Sequence, residues 1–359
     1  MPKTKKAVRP KPKTKKVKKT RKRAPCPKTE RERLKALLFP IQKPRTRGHI
    51  KVSDLHTIAY YTYGNPDGIP HLFMHGGPGS DISNDITDMF DLKKYFLVAI
   101  DQRGCGKSTP AGELRENTTQ DLIADMETVR RQLNVEKWIL VGFSWGSTLA
   151  IYYAQQHADR IRGVLIGGVF LGSARETDYV ENGGLVQIVF PEAWERYLSI
   201  LHGKTDLENP AKAYQRKIRG DDGASEQTKA LRYYSEFEKS IDRLYPLTRA
   251  NIAKTRSKTP KNRRAHYAKT GRIFHHYFEN GCFFPRDEYL LETRNMKKMA
   301  KIPVEIVQGH YDIVAPAIVA HQVHKKLPRS KLHMVVAGHQ GIPCEFNKQV
   351  IESLRELNK

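Results

Sequence analysis

The sequence offers little from which to build a disulfide frame or a structural metal site. Cys26, Cys105, Cys282 and Cys344 are scattered over 359 residues with no C-x-x-C pair among them. That usage fits a reduced, cytoplasmic protein better than a secreted, cross-linked one. The chain also lacks an apolar run approaching ~18 residues, so neither a transmembrane helix nor a membrane partner is expected. Its first residues are basic and polar, without the apolar core of a secretory signal. Acidic residues are scarce too: 38 Asp and Glu face 63 Lys and Arg, a net charge of +25.

The placement of that charge matters more than its size. Residues 1–35 hold 17 Lys/Arg and 2 Glu, so more than half of the excess sits on a short arm. Met1 to Pro27 repeats Lys, Arg, Thr and Pro with almost nothing to bury, which leaves its ordering entropy uncompensated and predicts disorder. Three readings stand for this tail: a nuclear-import signal, a non-specific contact with nucleic acid or another polyanion, or a solubilising extension. No aromatic residue interleaves the charges there, as base stacking would need.

The remainder is 39% apolar over the whole chain, enough for one large α/β domain with an inserted piece. Ile50–Val52 and Ile58–Tyr63 alternate as antiparallel strands would. From His71 onward, short apolar strands alternate with helical patterns: His71–Met74, Phe96–Ile100, Trp138–Val141 and Gly163–Gly167. Thr118-x-x-Asp121 opens the first of the helices as a capping box. This alternation predicts a mostly parallel, doubly wound sheet over residues 48–171. Over 172–299 it breaks into a polar, helical stretch anchored by aromatic residues, expected to be a cap inserted over the site. Within it, residues 249–272 carry nine Lys/Arg and no acid, which reads as a solvated loop between cap helices. Strands Pro303–Gln308 and Lys331–Val336 and a last amphipathic helix complete the core over 300–359.

Between the Trp138 strand and the next helix lies Gly142-x-Ser144-x-Gly146. Glycines at that spacing let the backbone turn sharply from strand to helix and lift a serine above the sheet edge, over a helix N-terminus. That placement suits a nucleophile whose attack generates an anion. The Gly76-Gly77 pair directly after the His71 strand leaves bare N–H groups. Such a loop supplies one oxyanion donor in serine hydrolases of this architecture, and the residue after the nucleophile, here Trp145, supplies the other. Asp312 and His339 each follow a late strand, at the edge where open α/β sheets bind ligands. The order Ser144, Asp312, His339 is the α/β-hydrolase order: nucleophile, orienting acid, general base. Asp101 also ends a strand but reads, with Arg103, as a structural ion pair or clamp beneath the loops.

With these residues assembled, the chain resembles the proline iminopeptidases (prolyl aminopeptidases), serine peptidases of the α/β-hydrolase superfamily. The similarity runs from about Gly48 to the C-terminus and rests on His75-Gly76-Gly77-Pro78-Gly79, Asp101-Gln102-Arg103-Gly104-Cys105-Gly106, Asn117-Thr118-Thr119, Ser144-Trp145-Gly146-Ser147 and Tyr311-Asp312. It implies release of N-terminal proline from short peptides through an acyl-enzyme, without metal or cofactor. It assigns the triad to Ser144, Asp312 and His339, and the oxyanion hole to the N–H groups of Gly77 and Trp145. Glu238 matches one of the family's two amine-binding glutamates and Phe170 its proline-pocket phenylalanine; Phe278 joins them as a candidate substrate contact.

Four positions depart from the family pattern. Phe143 replaces the glycine before the nucleophile and is expected to crowd the turn. His310 replaces an arginine beside the acid, and Gly167 another arginine. Phe274 stands where the family's other amine-binding glutamate would be, with Glu279 as a candidate substitute. Loss of that carboxylate is expected to weaken or broaden exopeptidase specificity. Two other functions stay open: an esterase or amidase of the same fold, favoured by Phe274 and Gly167, and a non-catalytic polyanion-binding protein, favoured by the basic arm.

Overall fold

Strands buried on both faces need apolar residues at nearly every position, and the central strands of this chain meet that demand. All six residues of Tyr95–Ile100 (β4) and all six of Val304–Gly309 (β7) are buried. The computed structural model describes Glu32 and residues 36–244, 261–339 and 344–359, with side chains left aside at 261–268 and 344. The basic tail expected over 1–35 thus lies, apart from Glu32, outside the described residues. Ordered contacts begin ahead of Gly48: the Phe39 N–H donates to the Asp88 carbonyl at 2.8 Å.

Eight strands form one sheet in the order β1-β2-β4-β3-β5-β6-β7-β8. Besides β4 and β7 these are β1 (Thr46–Lys51), β2 (Thr57–Gly64), β3 (Ile69–Met74), β5 (Trp138–Phe143), β6 (Ile161–Gly167) and β8 (Ser330–Val335). β1 pairs with β2, and β2 with β4, antiparallel; the remaining pairs are parallel. Side-chain alternation divides the core by face. Leu72, Met74, Leu140, Val164 and Ile166 pack on one side, and Phe73, Ile139, Val141 and Leu165 on the other. Helices α1 (Thr119–Gln132) and α2 (Trp145–Gln156) cover the first face, and the C-terminal helix, Cys344–Leu357, covers the second with Val350 and Leu354. Thr118 and Asp121 form the capping box that starts α1.

Between β6 and β7 the described residues include the helices α3 (Ala174–Val180), α4 (Val186–Val189), α5 (Pro191–Leu198), α6 (Lys204–Glu208), α7 (Pro210–Arg219), α8 (Ala224–Ile241), α9 (Lys261–Glu279) and α10 (Thr293–Lys297). This layer has a core of its own. Tyr197 stacks on Tyr214 at 4.2 Å and on Phe237 at 4.3 Å between ring centroids. Helix α9 ties that layer to the sheet: Ile273 and Tyr277 enter the main core, and the Tyr277 hydroxyl donates to Asn117 Oδ1 at 2.7 Å. The basic stretch 249–272 is therefore no loop throughout. Its first part lies outside the described residues, and from Lys261 onward it is helix.

Asp101 and Arg103 do not pair with each other. Asp101 accepts from the Tyr61 hydroxyl at 2.7 Å and from the Ile82 and Lys107 N–H groups at 2.9 and 2.8 Å, pinning two loops. Arg103 grips Asp125 of α1 with two hydrogen bonds of 2.7 and 2.8 Å, both side chains being buried. Asp101 is thus the hydrogen-bond clamp beneath the loops, and Arg103 anchors α1 instead of pairing with it.

Candidate active site

The turn between β5 and α2 has no room for side chains at its glycines. A Cβ on Gly142 would lie 2.1 Å from the Gly146 carbonyl oxygen, and one on Gly146 would lie 2.2 Å from that of Met74. Ser144 pays for this tightness with φ 57° and ψ −129°, a conformation that costs of order 1–3 kcal/mol and persists only where the surroundings enforce it. Its N–H donates to the Gly167 carbonyl at 3.0 Å, which holds the turn against β6.

Because β3, β5, β6, β7 and β8 run parallel, their C-terminal ends share one edge of the sheet. There the Ser144 Oγ lies 3.0 Å from His339 Nε2, and His339 Nδ1 lies 2.8 Å from Asp312 Oδ2. Asp312 is buried, and its other oxygen accepts the Ala315 N–H at 2.8 Å. Burial disfavours the imidazolium of His339. The carboxylate of Asp312, with those of Asp242 and Glu238 farther off, outweighs that penalty and holds its pKa above the ordinary value. Such an imidazole can take a proton from a hydroxyl while its counter-charge is already in place.

Among the described residues, no hydrogen bond engages the backbone N–H of Gly77 or of Trp145. The Trp145 N–H opens α2, where the first donors have no partner within the helix. Gly77, with φ 114°, lines the same cavity as Ser144. Gln102 links the two arms. Its amide donates to the His75 carbonyl at 2.9 Å, and its oxygen accepts from the Trp145 indole at 3.0 Å.

A cavity of about 450 Å³ separates the sheet edge from the helical layer and is lined by Ser144, His339, Gly77, Phe170, Phe278 and Glu238 among others. Phe170 stacks on Phe278 at 5.4 Å and Phe278 on Phe274 at 4.1 Å, giving a continuous aromatic wall. Opposed to this wall in character are the carboxylates of Glu238, Glu181 and Asp242, which line the cavity together with Glu176 and Asp81. Burial, then repulsion by Glu181 and Asp242, lifts Glu238 to about 7. Burial also lifts Glu181 to about 7 against the Tyr234 hydroxyl, and raises Asp242. Glu181 and Asp242 escaped the sequence reading. Asp242 follows Glu238 by one helical turn, a signal that was available; Glu181 caps the C-terminus of α3 and carries no motif.

Three of the departures now have a physical account. Phe143 does not crowd the turn: its ring points into the core between Phe73 and Phe346, at 6.3 and 5.8 Å. It also fills the space beside Gly167, where an added Cβ would meet the Val307 carbonyl oxygen at 2.6 Å and the Phe143 ring at 3.0 Å. Glu279 cannot stand in for the carboxylate missing at Phe274, because it is exposed and pairs with Arg219. His310 is exposed, with its ring against Tyr311 at 5.5 Å rather than against Asp312.

Comparison with known proteins points to the fold and the family. The α/β hydrolase fold family model matches residues 70–342. A probable proline iminopeptidase of Leptolyngbya boryana is 40% identical over 320 residues, 88% of this chain and 95% of that one. Proline iminopeptidases of Arabidopsis thaliana and Neisseria gonorrhoeae are 38% and 34% identical, over 87% and 88% of this chain and 80% and 96% of their own. Among solved structures, a proline iminopeptidase of Mycobacterium smegmatis superposes with a TM-score of 0.54 at 16% identity, covering 87% of this chain and 99% of that one, which speaks for the fold alone. The chain belongs to the proline iminopeptidases, within the α/β-hydrolase superfamily.

Proposed function

We propose that the protein is a serine aminopeptidase that releases N-terminal proline from short peptides. One observation carries the reading: the Ser144–His339–Asp312 relay opens into a cavity that also holds an aromatic wall and buried carboxylates. His339 takes the Ser144 proton as Oγ attacks the carbonyl carbon of the N-terminal residue. The tetrahedral oxyanion is received by the N–H groups of Gly77 and Trp145. Collapse breaks the peptide bond as His339 returns the proton to the departing amine, leaving an ester on Ser144. Water, deprotonated by the same imidazole, then releases proline.

Phe170 and Phe278 suit the flat, apolar pyrrolidine ring, and Glu238 suits the charged secondary amine. A peptide elongated at its N-terminus has no such cation to place there, so the same cavity selects free N-termini. A second reading, an esterase or amidase of the same fold, is favoured by one observation: Phe274 extends the aromatic wall where a carboxylate would have selected amines. Rates on a proline arylamide, its N-acetylated form and a short-chain aryl ester separate the two. Hydrolysis of the free arylamide in preference to its acetylated form supports the aminopeptidase, whereas turnover of the ester alone supports the alternative. The polyanion contact of residues 1–27 has no support among the relatives, and the segment lies outside the described residues. Cytoplasmic residence rests on the scattered cysteines; no described helix is long and apolar enough to cross a membrane.

A further inference from the structure

The aminopeptidase reading requires the substrate's ammonium to meet enough negative charge in a desolvated site, since one buried cation facing a single carboxylate is poorly compensated. With Phe274 contributing none and Glu279 turned to Arg219, the second carboxylate has to come from elsewhere in the cavity. Four acidic side chains besides Glu238 line the cavity, of which Asp81 is exposed and so offers no desolvated charge. Glu176 is spent on its own helix start, accepting from the Leu171 and Ser173 N–H groups and the Ser173 hydroxyl. Asp242 Oδ1 also makes no hydrogen bond, but it is compensated in charge by the Arg243 guanidinium nitrogen 3.2 Å away.

Glu181 differs from both. It is 1% exposed, and its Oε1 accepts the Tyr234 hydroxyl at 2.8 Å. Its Oε2 is buried with no hydrogen-bond partner among the described residues, although the side chain lines the cavity. The two lining cations lie near other acids: Arg243 beside Asp242, and Lys239 near Glu238, Asp242 and Glu236, donating to Ser235 at 2.9 Å. A buried carboxylate oxygen in that condition is costly unless a ligand supplies the missing donor. The terminal ammonium that the aminopeptidase reading brings into this cavity is a donor of the right charge for that oxygen.

We infer that Glu181, oriented by Tyr234, is a specificity-determining residue that binds the substrate's terminal ammonium together with Glu238, in place of the carboxylate absent at position 274. The inference rests on the aminopeptidase reading. Tyr234 is well placed for this role, since its ring also packs against Phe274 at 5.5 Å and so fixes the geometry of both sides of the amine site.

The test compares the parent enzyme with Glu181→Gln, Glu181→Asp and Tyr234→Phe on a proline arylamide and on an amine-free aryl ester. Glu181→Gln is expected to lower kcat/KM for the arylamide by about tenfold to a hundredfold, mainly through KM, with the ester little changed. Glu181→Asp restores part of that loss. Tyr234→Phe gives a smaller loss of the same pattern while leaving the carboxylate in place, which covers the case of a Glu181→Gln protein that does not fold. Equal arylamide kinetics in parent and Glu181→Gln overturn the inference, as does an equal fall on both substrates, the mark of a structural role. A parent that turns over the ester and not the arylamide overturns the aminopeptidase reading itself, and this inference with it.

Discussion

Gln102 and Trp145 hold the two backbone segments proposed to receive the oxyanion in register: the indole N–H of Trp145 donates to Gln102 Oε1 at 3.0 Å, while the Gln102 amide donates to the His75 carbonyl. One side chain thereby couples the loop after β3 to the helix that follows Ser144. Gln102 itself is buried.

Gln102→Leu removes both bonds and leaves every triad atom in place. We expect kcat on a proline arylamide to fall on the order of tenfold to a hundredfold with KM little changed, because the donors are misaligned only where charge develops. Steady-state kinetics on the purified variant check it. A rise in KM at constant kcat would place Gln102 in substrate binding instead.

The acid limb of the pH profile carries a second prediction. A general base with a raised pKa is protonated, and activity lost, at a higher pH than an ordinary histidine would allow. Two of the carboxylates that hold His339 up, Asp242 and Glu238, are cavity residues. Glu238→Gln is therefore expected to move the acid limb of kcat/KM for an uncharged ester to lower pH, since that parameter reports the free enzyme. For the amine substrate, KM should rise as pH falls through about 7, where Glu181 and Glu238 take up protons and lose their attraction for the ammonium.

Away from the chemistry, Arg103 and Asp125 form a buried, doubly hydrogen-bonded pair. Arg103→Leu strands the carboxylate, and we expect about 3–5 kcal/mol of lost stability by denaturant unfolding. Replacing Lys51, whose pairing with Asp54 is fully exposed, should leave the midpoint unchanged and serves as the control.

Gly167 gives a backbone counterpart. Gly167→Ala puts a methyl group 2.6 Å from the Val307 carbonyl oxygen, on the strand that leads to Asp312. A loss of about 1–3 kcal/mol is expected, with thermal unfolding as the measurement.

What the sequence made legible follows a simple physical division. All eight strands announce themselves because burial on one or two faces imposes a pattern on consecutive residues, and the positions just beyond their ends follow directly. Ser144, Asp312 and His339 stand out on that ground, and each lies within hydrogen-bonding reach of the next. Contacts among side chains from unrelated helices leave no such trace. Glu181 meets Tyr234 across 53 positions, and the partner of Glu279 is 60 positions away. The direction of Phe143 was equally hidden, because it depends on the empty space at Gly167 and on Phe346 near the chain's end. The basic stretch read as a loop because charge without visible apolar periodicity looks solvated, whereas α9 is held by Ile273 and Tyr277 near its far end.

The central claim is that the Ser144 hydroxyl, activated by His339, attacks the substrate, and turnover of a proline arylamide by the parent and by Ser144→Ala tests it most directly. The account predicts measurable turnover by the parent and a loss on the order of a million-fold in kcat for the variant, which in practice is none above background. A variant that keeps the parent's rate, or a folded parent that leaves the arylamide intact, would contradict it.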